Sequence, residues 1–155
     1  MKNIIGLLSA IMLMALITGC QCREEKLVAS NKKQIESAFD NWKKGKGTVF
    51  DLLDENVTWI VAGASPVSGT YRNKKELLKV VKQINAKLSG PIVPEVKQVI
   101  AQDNVVVAVW QGKAPAKDGK VYSNTYSWVM TFKDDKIIRV TAFLDTYLLS
   151  QLLGK

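Results

Sequence analysis

The sequence predicts an α+β domain in which one strongly curved antiparallel sheet carries helices on its concave side. Three observations predict it. Helix-period apolar spacing dominates the first ninety residues. Four β-rich runs separated by Asx/Gly turns follow Pro94. No internal repeat, low-complexity tract or linker divides the chain.

From Glu24 the pattern is helical, with Leu27/Val28, Ile35, Ala38/Phe39 and Trp42 at three- and four-residue steps, and Gly45 and Gly47 stop it. Thr48 fits an N-cap for a short apolar helix carrying Val49, Phe50, Leu52 and Leu53. Asn56–Val61 alternates as a strand, with Val57, Trp59 and Val61 on one side, and Gly69-Thr70-Tyr71 reads as a short returning strand. Asn73 with Glu76 resembles a capping box, and opens a helix whose stripe is Leu77, Val80/Val81, Ile84 and Leu88. Gly90-Pro91 ends it. The four β runs are Glu95–Gln102, Val105–Lys113, Lys120–Lys133 and Lys136–Asp145, turned by Asp103-Asn104, Asp118-Gly119 and Asp134-Asp135. Thr146–Leu153 closes the chain as a short helix.

Ahead of the domain, Lys2 precedes an apolar run from Ile4 to Ile17, and Thr18-Gly19 leads into Cys20. This is the architecture of a secretory signal, with a run too short for a comfortable membrane span. Leu16-Ile17-Thr18-Gly19-Cys20 resembles the bacterial lipobox, which implies cleavage before Cys20 and acylation of its thiol. An ordinary signal peptide and an uncleaved anchor are the alternatives. The organisation expected is a signal peptide at 1–19, a lipidated tether at 20–23 and one domain at 24–155. Two or three acyl chains would hold the protein on a membrane, at roughly 0.8 kcal/mol per buried methylene. Gln21 stands where inner-membrane retention would place aspartate, so by resemblance to double-membrane lipoproteins the outer membrane, facing the periplasm, is favoured. In a single-membrane cell the outer leaflet is expected.

Composition excludes several chemistries. There is no histidine, which removes Ser-His-Asp and Cys-His catalysis and nearly every zinc or non-haem iron site. No metal and no cofactor are expected. With Cys20 lipidated, Cys22 is the only other thiol, so no intrachain bridge forms; a second acylation, intermolecular pairing and a free thiol stand open for it. The net charge is +8, from 22 basic and 14 acidic residues. The lysines are scattered along the chain, which speaks against nucleic acid and for attraction to anionic headgroups or wall polymers.

The Lys120–Lys133 strand carries the candidate site. One face presents Tyr122, Asn124, Tyr126, Trp128, Met130 and Phe132, large and aromatic with a few polar handles. Such a face either lines an apolar ligand cavity or serves as plain core or a dimer interface. Trp59 and Trp110 could join the wall and Trp42 could close over it. Asp145, ending the last strand, has two readings: a base at a pocket rim, or a cap for the closing helix. No carboxylate pair is spaced for acid–base work.

Four blocks together resemble the SnoaL-like branch of the nuclear-transport-factor-2-like superfamily, which also contains ketosteroid isomerases. They are Trp42–Leu53, NVTWIVAGASPVSGTYR at Asn56–Arg72, YSNTYSW at Tyr122–Trp128, and KIIRVTAFLDT at Lys136–Thr146. The resemblance implies a cone-shaped barrel around a largely apolar pocket, often paired through the sheet into a homodimer. On alignment, the isomerases' oxyanion-stabilising tyrosine and acid fall near Ala38 and Trp128, and their base near Val61. None of these can move a proton. The acid that commonly precedes the aromatic of the last block is Ala142 here. The expected function is therefore a membrane-anchored lipoprotein that binds a small apolar ligand or acts as a dimeric interaction module. Its expected pocket residues are Trp42, Trp59, Tyr122, Asn124, Tyr126 and Trp128. The alternative is a cyclase, isomerase or hydratase with Asp145 as base and Tyr126, Asn124 or Trp128 polarising a carbonyl.

Overall fold

The structure, a computed structural model, describes the backbone of residues 2–154 and the side chains of residues 23–154. The leader, Cys20 and Cys22 lie outside the residues whose side chains are described. Among those that are, no helix is long and apolar enough to cross a membrane.

Helix α1 (Lys2–Lys43) lays Asn31, Ile35, Ala38 and Phe39 against the sheet, and Trp42 half-buried beside them. This is the expected stripe, except that Leu27 is exposed: between residues 23 and 30 only Val28 finds partial cover. Gly45, at φ +68°, turns the chain out of the helix, in the left-handed region where a Cβ would be strained. A single 3₁₀ turn follows at Val49–Leu52, with the Asp51 carboxylate accepting the Thr48 N–H at 2.7 Å. Leu53, expected in that turn, is instead the first residue of β1 (Leu53–Val61). The remaining elements are β2 (Gly69–Tyr71), α2 (Lys74–Ala86), β3 (Val93–Gln102), β4 (Val105–Pro115), β5 (Val121–Lys133), β6 (Lys136–Leu144) and α3 (Thr146–Leu153).

The sheet order is β2-β1-β6-β5-β4-β3. Every neighbouring pair is antiparallel except β1 with β6, which run parallel. The sheet is thus mixed, not antiparallel throughout. Alternation within a strand reports its faces but not the direction of a partner some eighty residues away, so this pairing was not legible in the pattern. Register shifts at Val96/Gln98, between Thr131 and Phe132, and between Leu53 and Thr58 mark the irregularities that let the sheet curl. The β5–β6 hairpin turns on Asp134 and Asp135, at φ +49° and +60°, the double left-handed conformation of a two-residue hairpin.

The inward faces of β1, β4, β5 and β6 meet α1 in one large core built on Ile35, Phe39, Val57, Val106, Met130 and Val140. A smaller core at the other end gathers Val67, Leu88, Ala114, Tyr122 and Leu149 beneath α3.

Candidate functional site

Between the curved sheet and α2 lies a cavity of about 490 Å³. Its floor comes from the inward alternation of β4 and β5. Trp110 and Tyr126 face each other across the strand pair and stack, centroids 4.0 Å apart and planes 10° apart. Trp128 meets Trp110 edge-on at 4.7 Å and Trp59 edge-on at 4.9 Å. Trp42 lies over this group, 5.3 Å from Trp110 and 6.2 Å from Trp128, with Phe50 beside it. The roof is the apolar stripe of α2, Leu77, Val80, Val81 and Ile84, and Leu149 of α3 adds to the wall.

The hollow exists because the large rings stand opposite small residues. Trp128 is flanked in register by Ala108 and Ala142, Asn124 faces Gly112, and Tyr122 faces Ala114. Gly112 is needed for close approach: a Cβ there would stand 2.9 Å from Trp110 and 3.2 Å from Tyr126. Such alternation was visible in the sequence of β4, but its meaning depends on register.

Of the expected pocket residues, Trp42, Trp59, Tyr126 and Trp128 border the cavity, and Trp110 joins them. Tyr122 and Asn124 do not. They lie behind Tyr126, where Tyr122 packs in the smaller core and Asn124 is 2% exposed. The α2 roof, Tyr71, Val67, Ile92 and Leu149 were not assigned to a pocket from sequence, although the stripe of α2 carried the signal. Asp145 is the N-cap of α3. Its Oδ1 accepts the N–H groups of Tyr147 and Leu148 at 3.0 and 3.1 Å. Oδ1 thus serves the first turn and Asp145 does not border the cavity, so of its two readings the geometry matches the cap.

Asn124 clamps that same residue from both sides. Its Nδ2 donates to the Asp145 carbonyl at 2.9 Å, and its Oδ1 accepts the Asp145 N–H at 3.0 Å. These two bonds fix the amide's orientation, so its second N–H donates to the Tyr122 hydroxyl at 3.1 Å. The Tyr122 and Tyr126 hydroxyls are 2.8 Å apart. Either hydroxyl can be the donor of this bond, and whichever donates leaves the other's proton outside the pair. Tyr126 is the one phenol of the pair that borders the cavity. Burial first, then the neighbouring Tyr122, holds Tyr126 well above the ordinary phenol range. Burial raises Tyr122 against the opposing effect of its hydrogen bonds. Tyr71, at the cavity wall, is also raised by burial. All three phenols stay neutral at physiological pH.

No carboxylate, lysine or arginine is among the lining residues. Among the described residues, no group of three His, Cys, Asp or Glu is placed to hold a metal. Trp110 Nε1 is buried without an acceptor, its ring enclosed by those of Phe39, Trp42, Tyr126 and Trp128. The arrangement can surround an apolar molecule and offer it neutral hydrogen-bonding groups, the phenols of Tyr71 and Tyr126 among them; no carboxylate or amine lines it.

A helix-backed, curled sheet closed around an apolar cavity defines the class of small pocket-bearing α+β domains. The SnoaL-like domain profile matches residues 35–140, and the chain belongs to that family. No curated protein matches the sequence. Solved structures share the fold. Bal32a from a soil-derived mobile gene cassette is 18% identical, with a TM-score of 0.69 over 82% of this chain and 98% of its own. A nuclear-transport-factor-2-like protein from Burkholderia thailandensis is 18% identical, with a TM-score of 0.63 over 79% of this chain and 96% of its own. TerC, co-crystallised with polyporic acid, is 15% identical, with a TM-score of 0.63 over 81% of this chain and 99% of its own.

Proposed function

We propose that this chain is a bacterial envelope lipoprotein, anchored through Cys20, whose SnoaL-like domain binds a small, uncharged, mostly apolar ligand. The observation that carries the binding role is the aromatic cavity, open to solvent at one side, with no ionisable group in its lining except neutral phenols. Its volume lies within the range of small-molecule sites. An ion entering it would lose hydration with no counter-charge to meet it. A neutral molecule with one polar oxygen would gain the rings' dispersion contacts and a hydrogen bond with the Tyr126 hydroxyl. TerC, which shares the fold, was co-crystallised with polyporic acid. Binding is favoured over the acid–base alternative because Asp145 lies outside the cavity lining and caps α3 through Oδ1.

The convex side of the sheet supports a homodimer. Val107, Val109 and Val129 form its half-buried centre, with Ile100 51% and Phe143 49% exposed near its margins. The cellular address remains that of the leader: export, then attachment at the outer membrane in a two-membrane cell.

Native mass spectrometry of the chain purified from its membrane reads all three features. The expected masses are an acylated N-terminal Cys20, a dimer, and a small neutral passenger. Tyr126→Phe should weaken binding of that passenger by roughly 2- to 10-fold, the worth of one neutral hydrogen bond. A chain that carries no passenger, and whose tryptophan fluorescence is unmoved by a panel of apolar carbonyl compounds, would refute the binding role.

A further inference from the structure

We propose that the outer face of α2, together with the adjoining first turn of α3, docks on an anionic lipid bilayer. Between Arg72 and Lys87 the sequence places six basic residues (Arg72, Lys74, Lys75, Lys79, Lys82 and Lys87) against one acid, Glu76. Glu76 is itself engaged, accepting the Arg72 N–H at 2.8 Å, and Lys74 is held by Glu55 at 3.2 Å. Lys75, Lys79 and Lys82, spaced four and three apart, fall on the side of α2 opposite the cavity stripe of Leu77, Val81 and Ile84. All three are exposed, and none makes an ion pair among the described residues. Elsewhere on the surface Lys32, Lys44, Lys97 and Lys120 each have an acid alongside.

The same region exposes apolar groups that the fold leaves uncovered. Leu78 of α2 is 39% exposed; on α3, which packs against α2, Tyr147 and Leu148 are 68% and 38% exposed. Lysines on one helix and exposed leucines and a tyrosine on it and its neighbour match the headgroup region of a bilayer, where ammonium groups meet phosphates and the apolar groups enter the acyl boundary. Charge complementarity selects anionic over neutral lipid. The placement also bears on the cavity. Asn85, Ser89 and Pro91, exposed lining residues at and beyond the C-terminal end of α2, would be brought close to the headgroups, giving an apolar ligand a short path out of the membrane. This last consequence rests on the ligand-binding reading; the docking itself rests on the charge and exposure of the face.

The test uses the full chain reconstituted with phosphatidylcholine vesicles or with vesicles containing 30% phosphatidylglycerol. An environment-sensitive fluorescent amino acid replaces Leu78, or in a control Val121 on the opposite face, so that Cys20 and Cys22 are untouched. On anionic vesicles the probe at 78 should shift to the blue, while the probe at 121 stays in water. The shift should vanish in high salt, and in the variant Lys75→Glu, Lys79→Glu, Lys82→Glu, whose exposed positions leave the fold intact by circular dichroism. Each lysine removed is expected to weaken docking about fivefold. A probe at 78 that remains in water on anionic vesicles overturns the proposal and leaves the face to a soluble partner, and an equal shift on neutral vesicles overturns it too. Co-sedimentation with the neutral vesicles reads the N-terminal anchor separately, and passenger binding reads the cavity.

Discussion

Substituting Gly112→Ala should strain the cavity floor, and the structure sets the size of the effect. The new Cβ would lie 2.9 Å from Trp110 Cζ3, 3.0 Å from Ile92 Cγ2 and 3.2 Å from Tyr126 Cε2. Carbon pairs rest at about 3.5–4.0 Å, so all three contacts are repulsive. Trp110 cannot simply withdraw, because Phe39 and Trp128 lie against it and Tyr126 stacks upon it. Relief requires the Trp110–Tyr126 pair to move into the cavity or Ile92 to move away. Overpacking of this kind costs about 1–3 kcal/mol. For a domain of this size that corresponds to a fall in Tm of roughly 3–12 °C. Unfolding of the detergent-solubilised chain by urea, followed by tryptophan fluorescence and near-ultraviolet circular dichroism, reads both stability and the ring stack. Ser127→Ala on the outer face serves as the control. Stability within about 0.5 kcal/mol of the parent, with an unchanged near-ultraviolet spectrum, would refute the claim that this glycine holds the rings in place.

Asp145→Ala should destabilise the protein by about 0.5–2 kcal/mol through loss of the α3 cap, while Asp145→Asn, which keeps the acceptor oxygen, should cost less; urea titration separates the two. Alkaline pH supplies another check. Tyr122 and Tyr126 are raised above 10.0 in the folded protein, so between the unfolded and folded values the unfolded chain binds fewer protons. Their contribution is fully present below about pH 9 and is lost as pH climbs past 10. The double variant Tyr122→Phe, Tyr126→Phe should show a shallower alkaline fall than the parent in urea titrations at stepped pH.

The elements, their faces and their turns were legible in the sequence because each depends on near neighbours along the chain. The alternation of β5 placed Tyr122, Asn124, Tyr126, Trp128, Met130 and Phe132 inward, and each of them is buried. Asn73 caps α2 through the Glu76 N–H at 2.8 Å, and the Asp103 and Asp134-Asp135 turns adopt the left-handed backbone their side chains tolerate. Tertiary structure alone decided which inward residues meet empty space. Tyr126 and Tyr122 share one strand face, yet one borders the cavity and the other is sealed beneath α3. That difference follows from how far α2 reaches across the sheet and from Gly112, Ala108 and Ala142 standing beside the rings on neighbouring strands. The parallel β1–β6 pairing and the Asn124 clamp on the Asp145 backbone were likewise set by partners distant in sequence. Periodicity reports which way a side chain points, whereas a cavity, a cap and a hydrogen-bond chain are properties of what it then meets.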